Sequence, residues 1–400
     1  MLIEIKKGKA KGRVKAPPSK SMAHRYLICA ALSQGVSLIH NVSLSKDIEA
    51  TIGGLRELGA EITLKGNDVT VKGIENFTPS PEIYCNESGS TLRFLLPLCL
   101  IESRGATLKG SQRLFERPLE IYENICRKEG IEFAKSADSV SLCGKLRGGE
   151  YSIAGNVSSQ FISGLLFALS KLQRSSRLKV TTPIESLPYI DMTLAAMRDF
   201  GVNLSLQNGE FIIPEHCEFK PQEITVEGDY SNAAFLDAFN FLGGEVEVSG
   251  LKFDSLQGDK VYKEYYKKLM EGTPTLDVSQ CPDLGPVLMG VAVANNGAEF
   301  IGTHRLKIKE SDRGSAMAEE LEKFGIKVET EENNIKVSSG IVAPSEVLSG
   351  HNDHRIVMTL ALLCTLTGGT ISDAEAVAKS YPDFFSVLGS LGIEANVIET

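Results

Sequence analysis

Two hydrophobic rhythms alternate along the chain. Runs with apolar residues at three- and four-residue spacing end on a glycine, and short stretches alternating apolar with polar residues follow. Each pair predicts an amphipathic helix, a left-handed glycine that stops it and a half-buried strand, often with a turn and a second strand. One copy runs from Ile52 to Gly59, continues as Ala60-Glu61-Ile62-Thr63-Leu64 and turns through Lys65-Gly66-Asn67-Asp68 into Val69-Thr70-Val71. Others lead from Leu119 to Gly130 and into Ile131-Glu132-Phe133, and from Met192 to Gly201 and into Val202-Asn203-Leu204-Ser205-Leu206. Two more lead from Ala316 to Gly325 and into Ile326-Lys327-Val328, and from Phe384 to Gly392 and into Ile393-Glu394-Ala395.

Gly59, Gly130 and Gly201 stand 71 residues apart, and one further step lands near Gly272, at the end of Tyr265-Tyr266-Lys267-Lys268-Leu269-Met270-Glu271. That fourth copy runs at once into Thr273-Pro274-Thr275-Leu276 and then Cys281-Pro282-Asp283, so its hairpin is expected to be trimmed. Six units, three early and three late, predict an α/β (α+β) chain of two similar domains, each with about three helix-and-strand units around buried helices. The best boundary is Val226-Glu227-Gly228-Asp229-Tyr230, a turn that enters a helix rich in Ala and Phe.

A length of 400 residues agrees with two domains. The net charge of -9 argues against a general nucleic-acid binder, so any anion must be caught locally. The eight cysteines are scattered singly, as expected of reduced thiols. Met1-Leu2-Ile3-Glu4-Ile5-Lys6-Lys7 lacks the apolar core of a signal peptide, and no later run suits a bilayer, which predicts a cytoplasmic protein.

Against this acidic background, cations stand at helix heads. Pro17-Pro18-Ser19-Lys20-Ser21 starts a helix that continues with Met22, Tyr26, Leu27 and Ala30 at helical spacing, and Arg25 lies one turn from Ser21. Cations at a helix N-terminus oppose its dipole unless an anion arrives there. Glu87-Ser88-Gly89-Ser90-Thr91-Leu92-Arg93 repeats the design, as do Ser158-Ser159-Gln160 and Asn352-Asp353-His354-Arg355. Arg113 and Arg117 precede a further helix start, Lys309-Glu310-Ser311-Asp312-Arg313 is densely charged, and Asp283 and Lys379 sit in loops. Individually each is explicable as capping or a solvated face; together they point to polyanion binding.

This ordered set resembles the enolpyruvyl transferases, in their shikimate-phosphate branch. The carriers are Lys20-Ser21 with Arg25, Gly89 with Arg93, Arg113 with Arg117-Pro118, Ser158-Ser159-Gln160, Ser186-Leu187-Pro188-Tyr189, Pro282-Asp283, Lys309-Glu310-Ser311-Asp312-Arg313, Asn352-Asp353-His354-Arg355 and Lys379. The resemblance implies an inside-out barrel of two domains, residues 19–227 and residues 1–18 plus 228–400, closing like a clamp. It implies transfer of the enolpyruvyl group of phosphoenolpyruvate to the 5-hydroxyl of shikimate 3-phosphate, by addition and elimination, with release of phosphate and without cofactor or metal.

By the same resemblance, Lys20, Ser21, Arg25, Ser158, Ser159, Gln160, Ser186, Tyr189, Asp283 and Lys309 hold shikimate 3-phosphate. Lys20, Gly89, Arg113, Gln160, Arg313, Arg355 and Lys379 hold phosphoenolpyruvate. Asp283 is the base, and Glu310 with Lys20 supplies the proton. Two small-molecule substrates, no nucleic acid or membrane, and a monomer are implied. So is inhibition by glyphosate, a phosphoenolpyruvate mimic, for which Gly89 leaves room. The chain departs from the family's usual Asn-Ala-Gly-Thr and following Pro, having Glu87-Ser88-Gly89-Ser90 and Phe94, and it carries Arg305 where relatives frequently have Asn. The sister enzymes that use a UDP-linked amino sugar have Lys-Asn at the first head and commonly a Cys before the Arg-Pro, unlike Lys20-Ser21 and Gly110-Ser111-Gln112-Arg113. A non-catalytic anion-binding relative is the other alternative.

Overall fold

The computed structural model of the chain describes residues 1–215 and 217–398. Contacts divide it into two compact units, Pro18–Glu227 and Met1–Pro17 with Gly228–Thr400, so Pro18 falls on the other side of the expected border. Each unit has its own hydrophobic core.

The unit Pro18–Glu227 contains helices α1 (Lys20–Leu32), α2 (Lys46–Glu57), α3 (Gly89–Cys99), α4 (Gln112–Glu116), α5 (Glu120–Glu129), α6 (Ser159–Leu169) and α7 (Leu187–Asp199). Helices α1, α3 and α6 are apolar nearly all round and correspondingly buried. Three four-stranded sheets share one plan: an outer strand runs parallel to the second, the second is antiparallel to the third, and the third is antiparallel to the fourth. They are Glu82–Tyr84, Ala106–Lys109, Ser139–Cys143 and Glu132–Lys135; Glu150–Ile153, Ser176–Val180, Glu210–Ile213 and Leu206–Gln207; and Glu223–Thr225, Val36–His40, Asp68–Lys72 and Glu61–Lys65. In the last, the outer strand comes from the far end of the unit.

The other unit contains α8 (Tyr230–Ala238), α9 (Tyr262–Glu271), α10 (Gly285–Ala294), α11 (Arg313–Lys323), α12 (His354–Thr367) and α13 (Phe384–Ser390). Thr275–Asp277, Ala298–Ile301, Asn334–Val337 and Val328–Thr330 repeat the full plan. A second sheet inserts the N-terminal strand Leu2–Ile5 between Gly369–Ile371 and Ala395–Ile398, with Leu348 bridging Ile371 in the outer place. The third sheet has only Lys11–Lys15 and the parallel strand Glu245–Ser249. After α9 the chain passes directly to Thr275–Asp277, an outer strand of the next sheet, so among the described residues the fourth hairpin is absent.

The glycine stops explain where strands begin. Gly59, Gly130, Gly201, Gly325 and Gly392 have positive φ, and the residue after each donates its N–H five residues back, Ile131 to Cys126, Val202 to Met197 and Ile326 to Leu321 among them. That bond holds the expected first strand residues in the helix cap. Pairing therefore starts later, at Glu132, Leu206 and Val328. Gly272 departs from the pattern, with φ 167°, an extended geometry that does not cap.

In place of the lost hairpin stands a side chain. The Asn240 amide donates from Nδ2 to Val246 O at 2.8 Å and accepts from Val246 N at 2.7 Å, matching a third strand at one position. Asn240→Leu is expected to lower unfolding stability by about 1 kcal/mol in urea titration, the worth of ordinary hydrogen bonds, while Asn240→Asp, which keeps the acceptor, should lose less.

Candidate active site

In the unit Pro18–Glu227 the site residues gather at helix N-termini. Ser19, Ser88 and Ser158 cap α1, α3 and α6 through their hydroxyls, and none of these helices has an acid in its first turn. By contrast α2 and α5 carry acidic first turns. Three heads are thus capped but electrostatically open to an outside anion.

Buried cations tie the heads together. Arg25 donates from Nη1 to Ser21 O at 2.7 Å, from Nη2 to Tyr189 O at 2.8 Å and from Nε to Thr193 Oγ1 at 2.8 Å, which links α1 to α7. Its guanidinium also lies over the Phe94 ring at 5.4 Å, giving the Phe94 departure a physical use. These partners are carbonyls, a hydroxyl and a ring, and burial pulls Arg25 down to about 10. Arg93 donates from Nη1 to Gln160 Oε1 at 2.8 Å, and Gln160 Nε2 donates to Ser90 Oγ at 3.0 Å, joining α3 to α6. Lys20 pairs with Asp47 at 2.7 Å. Ser186, which precedes α7, is buried and takes a left-handed conformation, with φ 56°.

Arg113 and Arg117 separate in the structure. Arg113 lies in the short helix α4 on the surface, against Glu116 at 3.4 Å. Arg117 is buried, and a Cβ added to Gly89 would sit 2.7 Å from its Nη1. The two arginines thus stand in different settings: Arg113 is half-buried beside Glu116, and Arg117 is the buried cation against Gly89. Arg93 and Arg117 stood in the quoted motifs but not among the assigned contacts. Their four-residue spacing from better-known positions gave no way to choose between neighbours.

In the other unit, the charged residues converge on Asp283, which lies in the 3-10 segment Pro282–Leu284. Its Oδ1 accepts from Lys309 Nζ at 3.0 Å and Arg313 Nη1 at 2.9 Å, and its Oδ2 from Arg355 Nη2 at 3.1 Å. Arg313 also donates to Glu310 Oε2 at 2.8 Å and to Asp353 Oδ2 at 2.8 Å. Lys309 and Glu310 precede α11, whose first residue is Arg313, so they meet through a loop rather than along one helical face. Asp353 caps α12, and Lys379 donates to Asn352 O.

The charges set one another's protonation. Burial alone would raise the Asp283 carboxyl, but Arg355, Lys309 and Arg313 hold it well below the usual range. Burial, with Arg305 and Arg313, pulls Lys309 down to about 8 against the opposing pull of Asp283. Arg305, buried in the segment Thr303–Ile308, thus adds to the positive field around Lys309.

Arg25, Arg93 and Arg117 in one unit, and Arg313, Arg355 and Lys379 in the other, are each 1–7% exposed, and such buried cations in each unit are suited to bind anions. Fold and site together define an anion-handling enzyme of two three-sheet units. The family model for EPSP synthase (3-phosphoshikimate 1-carboxyvinyltransferase) matches residues 5–388. The 3-phosphoshikimate 1-carboxyvinyltransferases of Clostridium botulinum (strain Alaska E43) and Clostridium kluyveri are each 41% identical to the chain over 98% of it and 97% of their own length. The chain belongs to the EPSP synthase family, a family of transferases. Its fold matches a solved EPSP synthase of Acinetobacter baumannii, with TM-score 0.79 at 22% identity over both whole chains. The enolpyruvyl transferase NikO of Streptomyces tendae has TM-score 0.77 at 16% identity, covering 99% of this chain and 98% of that one.

The Lys309 assignment is directly measurable. In a carbon-13 dimethyl-lysine titration of the ligand-free chain, Lys309 should titrate near pH 8, well below exposed lysines. Asp283→Asn should move its midpoint lower still, because the substitution removes the charge that favours the ammonium.

Proposed function

We propose that the chain transfers the enolpyruvyl group of phosphoenolpyruvate to the 5-hydroxyl of shikimate 3-phosphate, with release of phosphate, as a cytoplasmic monomer of the shikimate pathway. The observation that carries this reading is the Arg25 guanidinium, buried among hydrogen-bond acceptors that bear no charge, in a member of this family. A phosphate or carboxylate is the missing counter-charge.

Shikimate 3-phosphate is held by Lys20, Ser21, Arg25, Ser158, Ser159, Gln160, Ser186, Tyr189, Asp283 and Lys309. Phosphoenolpyruvate is held by Lys20, Gly89, Arg117, Gln160, Arg313, Arg355 and Lys379, with Arg117 in the place first given to Arg113. The guanidinium forks suit bidentate contact with carboxylate and phosphate. Glyphosate, as a phosphoenolpyruvate mimic, competes for this second set.

The ion pairs support a way of arming the base. In the free chain Asp283 is a weak base, because three cations stabilise its charged form. Incoming phosphate and carboxylate groups draw Lys309, Arg313 and Arg355 toward themselves, and the pull on Asp283 falls. Its proton affinity rises when the substrate hydroxyl arrives, and the hydroxyl oxygen then attacks C2 of phosphoenolpyruvate while its proton passes to Asp283. Glu310 with Lys20 delivers a proton to the methylene carbon to complete the tetrahedral adduct. Elimination of phosphate, with return of a methyl proton to the groups that delivered it, restores the double bond.

Phosphate release with phosphoenolpyruvate plus shikimate 3-phosphate, beside phosphoenolpyruvate plus UDP-N-acetylglucosamine, tests the reading. Release with the first pair alone is expected, and Asp283→Asn should cut turnover by roughly 100-fold or more. Near-normal turnover in that variant would remove Asp283 as the base, and release with the UDP-sugar would change the acceptor.

The two arginines are distinguishable in the same assay. Arg117→Ala should raise the KM for phosphoenolpyruvate at least about tenfold, the effect of losing a charge-assisted contact, whereas Arg113→Ala should stay within about twofold. The reverse order would restore the original assignment.

A further inference from the structure

One buried carboxylate has no part in the mechanism above. Glu320, on α11, is fully enclosed. Its Oε1 accepts from His351 Nε2 at 2.9 Å and its Oε2 from the Ser349 backbone N–H at 2.9 Å, while Lys323 Nζ donates to both oxygens at 2.9 and 3.0 Å. Glu319, Glu320 and His351 have ligand atoms close enough for a metal. The Lys323 ammonium, however, already supplies positive charge to both Glu320 oxygens, so the arrangement reads as a hydrogen-bonded latch.

The latched segment is unusual. His351 and Asn352 have φ 48° and 49°, two successive non-glycine residues in the left-handed region. Asn and His enter that region more readily than most side chains, but as single residues, so two in succession need support from their surroundings. The consequence of the bend lies one to four residues beyond His351. Asn352 O accepts from Lys379 Nζ, Asp353 caps α12 and accepts from Arg313, and Arg355 reaches Asp283. Ser311 Oγ also donates to Asp353 Oδ2 at 3.1 Å, fixing one end of the segment, while Glu320 fixes the other at Ser349 and His351.

We propose that Glu320 and His351 are positioning residues for phosphoenolpyruvate recognition: their hydrogen bond holds the left-handed bend that sets Arg355 and Lys379 for the substrate's carboxylate and phosphate. The proposal rests on the functional reading above and adds two residues that touch no substrate. Because α11 also begins with Arg313, one helix fixes an arginine directly and two further cations through the loop. The latch therefore acts on Arg355 and Lys379 together.

Three variants test it, with steady-state phosphate release and amide hydrogen exchange as readouts. His351→Leu removes the donor while keeping bulk, His351→Gln restores a side-chain N–H donor, and Glu320→Gln weakens the acceptor. His351→Leu should raise the KM for phosphoenolpyruvate by about two- to tenfold, the worth of one hydrogen bond. Its kcat and its KM for shikimate 3-phosphate should remain within about twofold. Exchange at the Ser349 amide should accelerate by a similar factor. His351→Gln should recover both readouts, and Glu320→Gln should shift them in the direction of His351→Leu.

Unchanged Ser349 exchange in His351→Leu overturns the latch. So does a change in which both KM values and the melting temperature move together, or a His351→Gln variant no better than His351→Leu. A wild-type chain that releases no phosphate from the substrate pair overturns the substrate reading, and with it this assignment, while the exchange measurement still reports whether the latch exists.

Discussion

The buried Arg313 guanidinium sets the terms for its half of the structure. It is 1% exposed and shared among Asp283, Glu310 and Asp353, three carboxylates brought from three separate stretches of chain. A lone guanidinium at that depth would be strongly unfavourable, and so would the carboxylates without it. Burial therefore forces the loop before α10, the loop before α11 and the head of α12 to meet at one point. The same charges that make the arrangement foldable make it reactive, because an arriving anion competes for the cations with the acids already there.

The other unit solves the opposite problem. Its cations stand at helix heads that lack first-turn acids, and Arg25 is satisfied by carbonyls and a hydroxyl. Such partners orient the guanidinium without neutralising it, so its charge is available to a ligand. Arg313 thus carries its counter-ions with it, whereas Arg25 is held by neutral acceptors. Asp283 belongs to the first arrangement, its carboxyl held well below the usual range by Arg355, Lys309 and Arg313.

Much of this is legible in the sequence, and the legible parts share a physical cause. Left-handed glycines and apolar periodicity are local signals, so the helix-and-hairpin units and the missing fourth hairpin are visible in the residues themselves. Pro17, Pro18 and Ser19 fix the start of α1 in the same local way. The strands after Gly130, Gly201 and Gly325 begin later than alternation suggests, because the helix cap takes an N–H that alternation alone does not count. Site chemistry is less local. Arg113 and Arg117 sit in one short motif with the same side chain, and only packing against Gly89 separates them. Glu320 carries no sequence mark at all, since its neighbours Ser349 and His351 lie about thirty positions away.

The strand Leu2–Ile5 pairs with Gly369–Ile371 and Ala395–Ile398, so a sheet's central strand is made first and its neighbours last. During synthesis at about 5–20 residues per second, the strand must wait on the order of half a minute for partners. The Pro18–Glu227 unit can complete all its sheets in that interval, because every strand it uses lies within its own span. The order of translation therefore imposes an order of folding. The ribosome releases a finished first unit attached at both ends to an unfinished second one, and an apolar N-terminal segment must stay uncommitted until the C-terminal strands emerge.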